Sequence, residues 1–479
     1  MQNILDNKSK QKVYGWGRST YSNSFVFCPS EIKEVHNIVA FSNDNSFRIA
    51  CRAAGRSYGD NTLNDDQIVL DITQLNKILK WDSDTGIITT QGGVTIEQVL
   101  LNCVESGWVF PAMPGTRFVT MAGALSNNVH GKNALHQGYI GEHVKFFKII
   151  LADNNVYYCS REQNKELFYS VISGLGLIGI IIEVSLQLKK VPSYFVAGKM
   201  SRHGSFRALV EGYEKIKHDY EYSIAWVDAI KGGAGLGRGE INYANFIDDG
   251  NFKITGHDIP KNIFGFIPND WVPSIAKIFL NTTTMRFVNW LQVNTGNMSS
   301  DIQMDKVSLS KYHYLMDMKF PKYNYFFKDG FFLYQPILPV ENTVIGYEEL
   351  LSITHKYGFY SVMSAFKAYR QQNENFLLSF SLDGYSITLD IPKNPNRIKD
   401  QVKMFYEMND CVIKYGGKIY LGKTPVLNKD HFFAMYDNVD EYLTIKQKVD
   451  PNNIFESNMY RRIMQISHEN TSAPSIYSI

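Results

Sequence analysis

Cysteine is scarce and scattered in this chain. The five residues (Cys28, Cys51, Cys103, Cys159, Cys411) form no CxxC pair, and an odd number cannot all be joined in disulfides. That argues against a disulfide scaffold, a zinc ribbon or a redox dithiol, and favours a reducing compartment. An excess of charge of one sign is also lacking. With 49 basic against 47 acidic residues the net charge is +2, so the chain shows no electrostatic footprint for nucleic acid. Nor is there a long hydrophobic run. The most apolar stretch, 171–186, carries three glycines and Glu183, whereas a membrane span needs roughly 20 mostly apolar residues. It reads as a buried turn and strand. The beginning, MQNILDNKSK, has no apolar core of a secretory signal. The expectation is a cytoplasmic protein with no transmembrane segment, working in solution or at the inner face of the cytoplasmic membrane.

What the chain does have is length and a change of texture. At 479 residues it is too long for one hydrophobic core, so two or three domains are expected. Over the first 195 residues short strands alternate with helices. Residues 47–53, 67–73 and 86–91 read as strands, and 95–105 as a helix with Ile96, Val99, Leu100 and Val104 on one side. Residues 144–151 and 156–159 read as a hairpin turning at Asp153, Asn154 and Asn155. From about 196 to 416 aromatics become dense and longer strand-like runs appear, at 330–338 and 386–391. Helix and turn then return, ending in a polar tail after Ile463. The reading is a middle domain, 196–416, inserted into a first domain of residues 1–195 that 417–479 completes.

Gly174, Gly176 and Gly179 give the GxGxxG spacing of a dinucleotide-binding turn. That turn works by opening a helix whose N-terminus faces a pyrophosphate. Here a β-branched run, Ile180, Ile181, Ile182, follows, so a tight turn into a strand is expected instead. Two other loops carry more information. In the first, Ala53, Gly55, Arg56, Ser57, Tyr58, Gly59 and Asn61 follow a strand. Small residues let successive backbone N–H groups converge on an anion, and Ser57 and Asn61 add side-chain donors. The second contains Pro114, Gly115, Thr116, Val119, Thr120, Gly123, Ala124, Ser126, Asn127, His130, Gly131, Lys132 and Asn133. A Pro-Gly turn, a small-residue helix start and a polar exit let a large planar group lie close to backbone.

At these residues the chain resembles the vanillyl-alcohol-oxidase type of flavoprotein, also called the PCMH-type FAD-binding fold. GRSYGD looks like the family's pyrophosphate loop, and PGTRFVTMAGALSNNVHGKN like its second FAD-binding segment. GLGLIGIIIEVSL looks like the turn and strand beside the adenine, and Asp450, Pro451 and Phe455 fit its DPxxxF element. Within the family the features are most similar to the decaprenylphosphoryl-β-D-ribose 2-oxidases. They include Tyr14 to Arg18, Trp226, Asp228, Tyr312, His313, Gln335, Lys367, Tyr420 and Lys423. The resemblance implies an α+β fold, with a two-lobed FAD domain and an inserted antiparallel-sheet cap over the substrate. It adds Ile182 and Tyr420 to the cofactor-binding residues named in the two loops. It implies non-covalent FAD, because Arg56 stands where covalent relatives carry a flavin-linked histidine. Thr388 replaces a cysteine of the mycobacterial relatives, Ser386 an asparagine and Leu333 a glutamine.

Oxidising a secondary alcohol needs a hydride acceptor and loss of the hydroxyl proton; the protein supplies position and charge. The resemblance names Lys423, Lys367, Gln335 and His130 for catalysis, and Tyr312, His313, Gln335, Lys367, Ser386, Thr388 and Lys423 for substrate. It implies oxidation of the 2-hydroxyl of a polyprenyl-phosphate-linked pentofuranose to a 2-keto sugar, for cell-envelope polysaccharide. A separate NAD(P)H-dependent keto-sugar reductase would complete an epimerisation. The alternatives are an aldonolactone or alditol oxidase for small soluble sugars, and a non-catalytic flavin-bound scaffold. The ten aromatics of 312–334 suit sugar stacking or a lipid tail, or else a core. The glycine-rich 232–239 reads as a flexible connection or lid.

Overall fold

The computed structural model describes residues 5, 8–263, 267–294, 302–320, 322–423 and 425–465. Most of the polar tail therefore lies outside the described residues. The expected strand at 47–53 forms over Ile49–Arg52 and lies parallel to Ile68–Asp71, which lies parallel to Tyr21–Phe27; Gln11–Tyr14 adds an outer antiparallel strand. Residues 95–105 form the helix Ile96–Cys103 and a 3₁₀ turn, Val104–Ser106. A capping box fixes the helix start, with Thr95 Oγ1 accepting from Gln98 N.

A second sheet is antiparallel throughout, in the order Ile78–Asp82, Ile87–Gln91, Ile180–Gln187, Val144–Ile150, Val156–Ser160. The last two strands are the expected hairpin. Ile180–Gln187 is central, which accounts for its β-branched run: Ile180, Ile181, Ile182 and Val184 are all buried. The turn Gly174 to Gly179 thus leads into a strand, and the dinucleotide-helix reading falls away. Ser173, Leu175 and Gly176 hold left-handed backbone there, with φ of 66°, 60° and 76°.

The third sheet has nine strands, all antiparallel. Eight run in the order Ile302–Ser308, Phe195–His203, Gly239–Phe246, Tyr222–Val227, Met363–Tyr369, Gly384–Pro392, Pro336–Pro339, Lys418–Ile419. Phe331–Tyr334 pairs with Gly384–Pro392 in the register that Pro336–Pro339 continues. The expected run 330–338 is therefore one line of chain interrupted at Gln335, whose carbonyl accepts from Tyr420 N at 2.9 Å. The architecture is α+β. One face of the sheet is sealed by aromatics: Phe366 and Tyr385 stack at 4.9 Å, and both meet Tyr213 of helix Phe206–Ile216. Strand alternation turns Met363, Ala365 and Lys367, with Ser386, Thr388 and Asp390, to the other face.

The C-terminal stretch returns to the first sheet. Ile49 N donates to Ile454 O at 2.7 Å and Glu456 N to Ile49 O at 3.1 Å. Asp450 organises this return from inside the protein. Its carboxylate accepts from Ile454 N at 2.7 Å and Phe455 N at 2.9 Å, and pairs with the equally buried Lys446 at 2.8 Å. Arg462 reaches back with two bonds to Asp60, at 2.8 and 2.9 Å. Among the described residues, no helix is long and apolar enough to cross a membrane.

Candidate active site

The open face of the large sheet and the two small-residue loops enclose a cavity of about 1380 Å³. Single-ligand pockets usually hold roughly 300–1,000 Å³, so there is room for a cofactor and a second molecule.

Ala53, Gly55, Arg56, Ser57, Tyr58 and Asn61 form one wall, delivered by the strand Ile49–Arg52. Gly55 adopts φ +61°, and a Cβ there would lie 2.2 Å from the Arg52 guanidinium. Opposite are Pro114, Gly115, Thr116, Val119, Thr120, Gly123, Ser126 and Asn127. A Cβ on Gly115 would meet nothing within 4 Å, and on Gly123 little beyond Thr120 Oγ1. These glycines leave a cradle that side chains would fill. Polar atoms in the same walls are buried without partners: Arg56 Nε, Asn61 Oδ1, Asn127 Oδ1 and His130 Nδ1. Such atoms are costly unless something satisfies them. A flat ligand rich in N–H, carbonyl and phosphate groups fits this set, and FAD is such a ligand.

A group of lysines also faces the cavity. Lys132, Lys367 and Lys423 line it with His130, His313, Gln335, Tyr312, Thr388, Asp390 and Tyr420. Burial pushes Lys367 down to about 7, with Lys423 and Lys132 adding repulsion. Burial takes Lys132 to about 7 and Lys423 to about 8, the latter opposed by Asp390. Asp390 is raised to about 7 by burial, against the Tyr323 hydroxyl that donates to it at 2.7 Å and the charge of Lys423. The Lys423 ammonium sits 4.5 Å from the Tyr58 ring centroid. His130 is held well below its ordinary value by burial and then by Lys367 and Lys423, so it is neutral. Gln335 Nε2 donates to His130 Nε2 at 3.0 Å, which leaves the ring proton on Nδ1. His313, neutral for the same main reason, donates from Nε2 to Met113 O at 2.6 Å. Among the described residues no cluster of His, Cys, Asp or Glu could hold a metal ion.

Six residues named from the sequence do not line this cavity; they back it. Gly59 packs on Pro425, and Gly131 lies so close to Met113 O that a Cβ would sit 2.1 Å from it. Ala124 is fully buried, and Asn133 Nδ2 is used on Pro111 O at 2.8 Å. Ile182 O accepts from Gly92 N at 3.1 Å, and Ser386 Oγ lies 3.3 Å from Gln335 Nε2. The short strand before Tyr420 ends at Ile419. Residues 420–423 turn instead, with Lys423 N donating to Tyr420 O at 3.2 Å. The 312–334 aromatics are mostly core, with Tyr312, Tyr314, Tyr323, Phe326, Phe327 and Phe331 all buried. Residues 232–239 connect Tyr222–Val227 to Gly239–Phe246, with Arg238 pinned to Asp228 at 2.9 Å.

Sequence reasoning missed Asp390 and gave Lys132 no role. Period-2 alternation from Ser386 and Thr388 would have placed Asp390 on the same face. Trp16, against which the Arg56 guanidinium stacks at 4.1 Å, was marked only within the resembling run Tyr14 to Arg18 and given no role.

Comparison with known proteins fits the geometry. Residues 24–160 match the FAD binding domain family, and 386–463 match the D-arabinono-1,4-lactone oxidase family. The chain is an FAD-dependent oxidoreductase acting on CH–OH groups, and the resemblance drawn from its loops is borne out. It is 29% identical over 469 residues to the decaprenylphosphoryl-beta-D-ribose oxidase of Mycolicibacterium smegmatis, covering 95% of this chain and 97% of that protein. It is also similar to a putative D-arabinono-1,4-lactone oxidase of Neurospora crassa, 28% identical across 39% of this chain and 33% of that one. The L-gulonolactone oxidase of Bos taurus is 24% identical across 37% and 40%.

Proposed function

We propose that the enzyme oxidises the 2-hydroxyl of a polyprenyl-phosphate-linked pentofuranose to a 2-keto sugar. The observation that carries this reading is the set of three half-buried lysines, Lys132, Lys367 and Lys423, that line the cavity together with the cradle. A sugar phosphate supplies anionic charge for such a set, whereas a neutral lactone does not. The end-to-end likeness to the mycobacterial oxidase supports it.

The two loops would hold FAD without a covalent bond, with Gly55, Ser57 and Asn61 for its pyrophosphate and Gly115, Thr116, Gly123 and Asn127 along the cradle. Bound FAD supplies the hydride acceptor. Lys423, held over the Tyr58 ring, would offer positive charge to the cofactor as it takes up electrons. Gln335, held by His130, orients a sugar hydroxyl. Lys367 Nζ, whose pKa burial pushes down to about 7, can lose its proton near neutral pH and then accept the hydroxyl proton. Tyr312, Thr388 and the sheet face exclude water. We place the cofactor domain at 1–195 with 417–479 and the cap at 196–416, the strands Phe195–His203 and Lys418–Ile419 marking the crossings. The ketone product calls for a separate NAD(P)H-dependent reductase.

The match of 386–463 to the lactone oxidase family supports a second reading, a soluble aldonolactone or sugar as substrate. Anaerobic absorbance spectra decide between them. Bleaching of the flavin bands by a prenyl-phospho-ribose is expected. Bleaching only by free lactones or alditols selects the second reading, and no bleaching by either class refutes both.

A further inference from the structure

Helices Val272–Phe279 and Thr282–Asn294 carry apolar side chains on both sides. Along the first, Val272, Ala276 and Leu280 pack inward on the cluster of Tyr323, Phe326 and Phe331, while Trp271, Ile278 and Phe279 are 65%, 72% and 58% exposed. Along the second, Met285 turns inward, and buried Asn289 anchors the helix to Asp228 at 2.7 Å. Phe287 faces out at 59% exposure, stacked on Trp290 with centroids 6.1 Å apart. A helix at the surface of a globular protein normally carries polar residues on its outer side. The segment 271–294 contains no Asp or Glu, and its two basic residues, Lys277 and Arg286, are exposed.

Exposed aromatic and aliphatic groups flanked by basic side chains suit the headgroup boundary of an anionic lipid layer. A second copy of the chain fits less well. A two-fold contact would bring Lys277 and Arg286 of both faces together with no acid to meet them. The inner side of both helices lines the cavity, through Val272, Ile275, Met285 and Asn289, so the apolar face is the outer side of a wall of the candidate active site. We propose that the outer face of 271–291 docks on an anionic bilayer and presents the cavity to lipid-borne substrate. This rests on the lipid-linked reading of the substrate.

The test uses the full-length holoenzyme in flotation with vesicles of phosphatidylglycerol and phosphatidylcholine, against phosphatidylcholine alone. Binding to the anionic vesicles is expected, about tenfold weaker without the anionic lipid. It should be lost in the Phe279→Asp, Phe287→Asp double variant, whose flavin spectrum stays normal. If that variant loses its flavin, Lys277→Glu with Arg286→Glu decides, because it must weaken binding to anionic vesicles alone. Vesicle binding unchanged by these substitutions overturns the proposal. So does wild-type protein that ignores vesicles and instead self-associates through this face. A short-chain, water-soluble prenyl-phospho-ribose separates the two readings: wild type and both variants should oxidise it equally. Vesicle binding without any such oxidation refutes the substrate, not the docking face.

Discussion

Replacing Lys367 by methionine should stabilise the protein at neutral pH while removing activity. In the folded chain the Lys367 pKa is pushed from 10.5 down to about 7, first by burial and then by Lys423 and Lys132. Between these values the unfolded chain holds a proton that the folded chain does not, so wild-type stability rises with pH across this window. At pH 7 this group favours the unfolded state by about 4 kcal/mol, from a shift of 3.5 units at 1.36 kcal/mol each less the half-titrated folded form. At pH 9.5 the same arithmetic leaves about 1 kcal/mol. Methionine is close in length and carries no charge to desolvate. Urea unfolding of wild type and Lys367→Met, followed by tryptophan fluorescence at both pH values, measures the gap. The variant should be more stable by a few kcal/mol at pH 7 and by much less at pH 9.5. A variant less stable than wild type at pH 7, or a gap independent of pH, would refute the assignment of Lys367 as a half-buried, desolvated amine.

Gln335→Ala removes the amide that His130 holds in place; the flavin spectrum should persist while kcat/KM falls about 10- to 100-fold, as for one lost buried hydrogen bond to substrate, measured by anaerobic stopped-flow reduction. Lys446→Met leaves Asp450 charged and unpaired in the core and should cost about 3–5 kcal/mol in urea unfolding. Adding Asp450→Asn should recover part of that loss, and a double variant no better than Lys446→Met would show that the pair is not the issue.

The two cofactor loops were legible because their information is local. A run of small residues with few Cβ atoms reads the same in one dimension as in three. The strands around them followed from alternation, as did the turn at Gly174 to Gly179, where β-branched residues overrode a familiar spacing. The lysine cluster was legible only in part, since Lys132, Lys367 and Lys423 come from three distant segments. Asp390 was hidden because a single Asp in an apolar strand reads equally well as an edge. Aromatic density over 312–334 could not say whether rings face water or each other. That depends on helices 272–294 packing over them. The return of Arg462 onto Asp60, 402 residues apart, lies beyond any local pattern. The break at Gln335 and the turn at 420–423 depend on each other through the bond from Tyr420 N to Gln335 O.

The order in which the chain is made gives the return of 450–456 a further meaning. Ile49–Arg52 lies at the border of the first sheet, and Ile454 and Glu456 occupy its outer hydrogen-bonding groups. During synthesis, every strand of the nine-stranded sheet but Lys418–Ile419 has emerged by residue 416, while the strand that precedes the Gly55 loop still has a bare border. A nascent chain that stops before Asp450 exposes that border as a template for pairing with other chains. Completion of the sheet that carries the Gly55 loop is thereby tied to residues 450–456, and a ribosome that stalls before them releases a product prone to aggregate rather than a partly active enzyme.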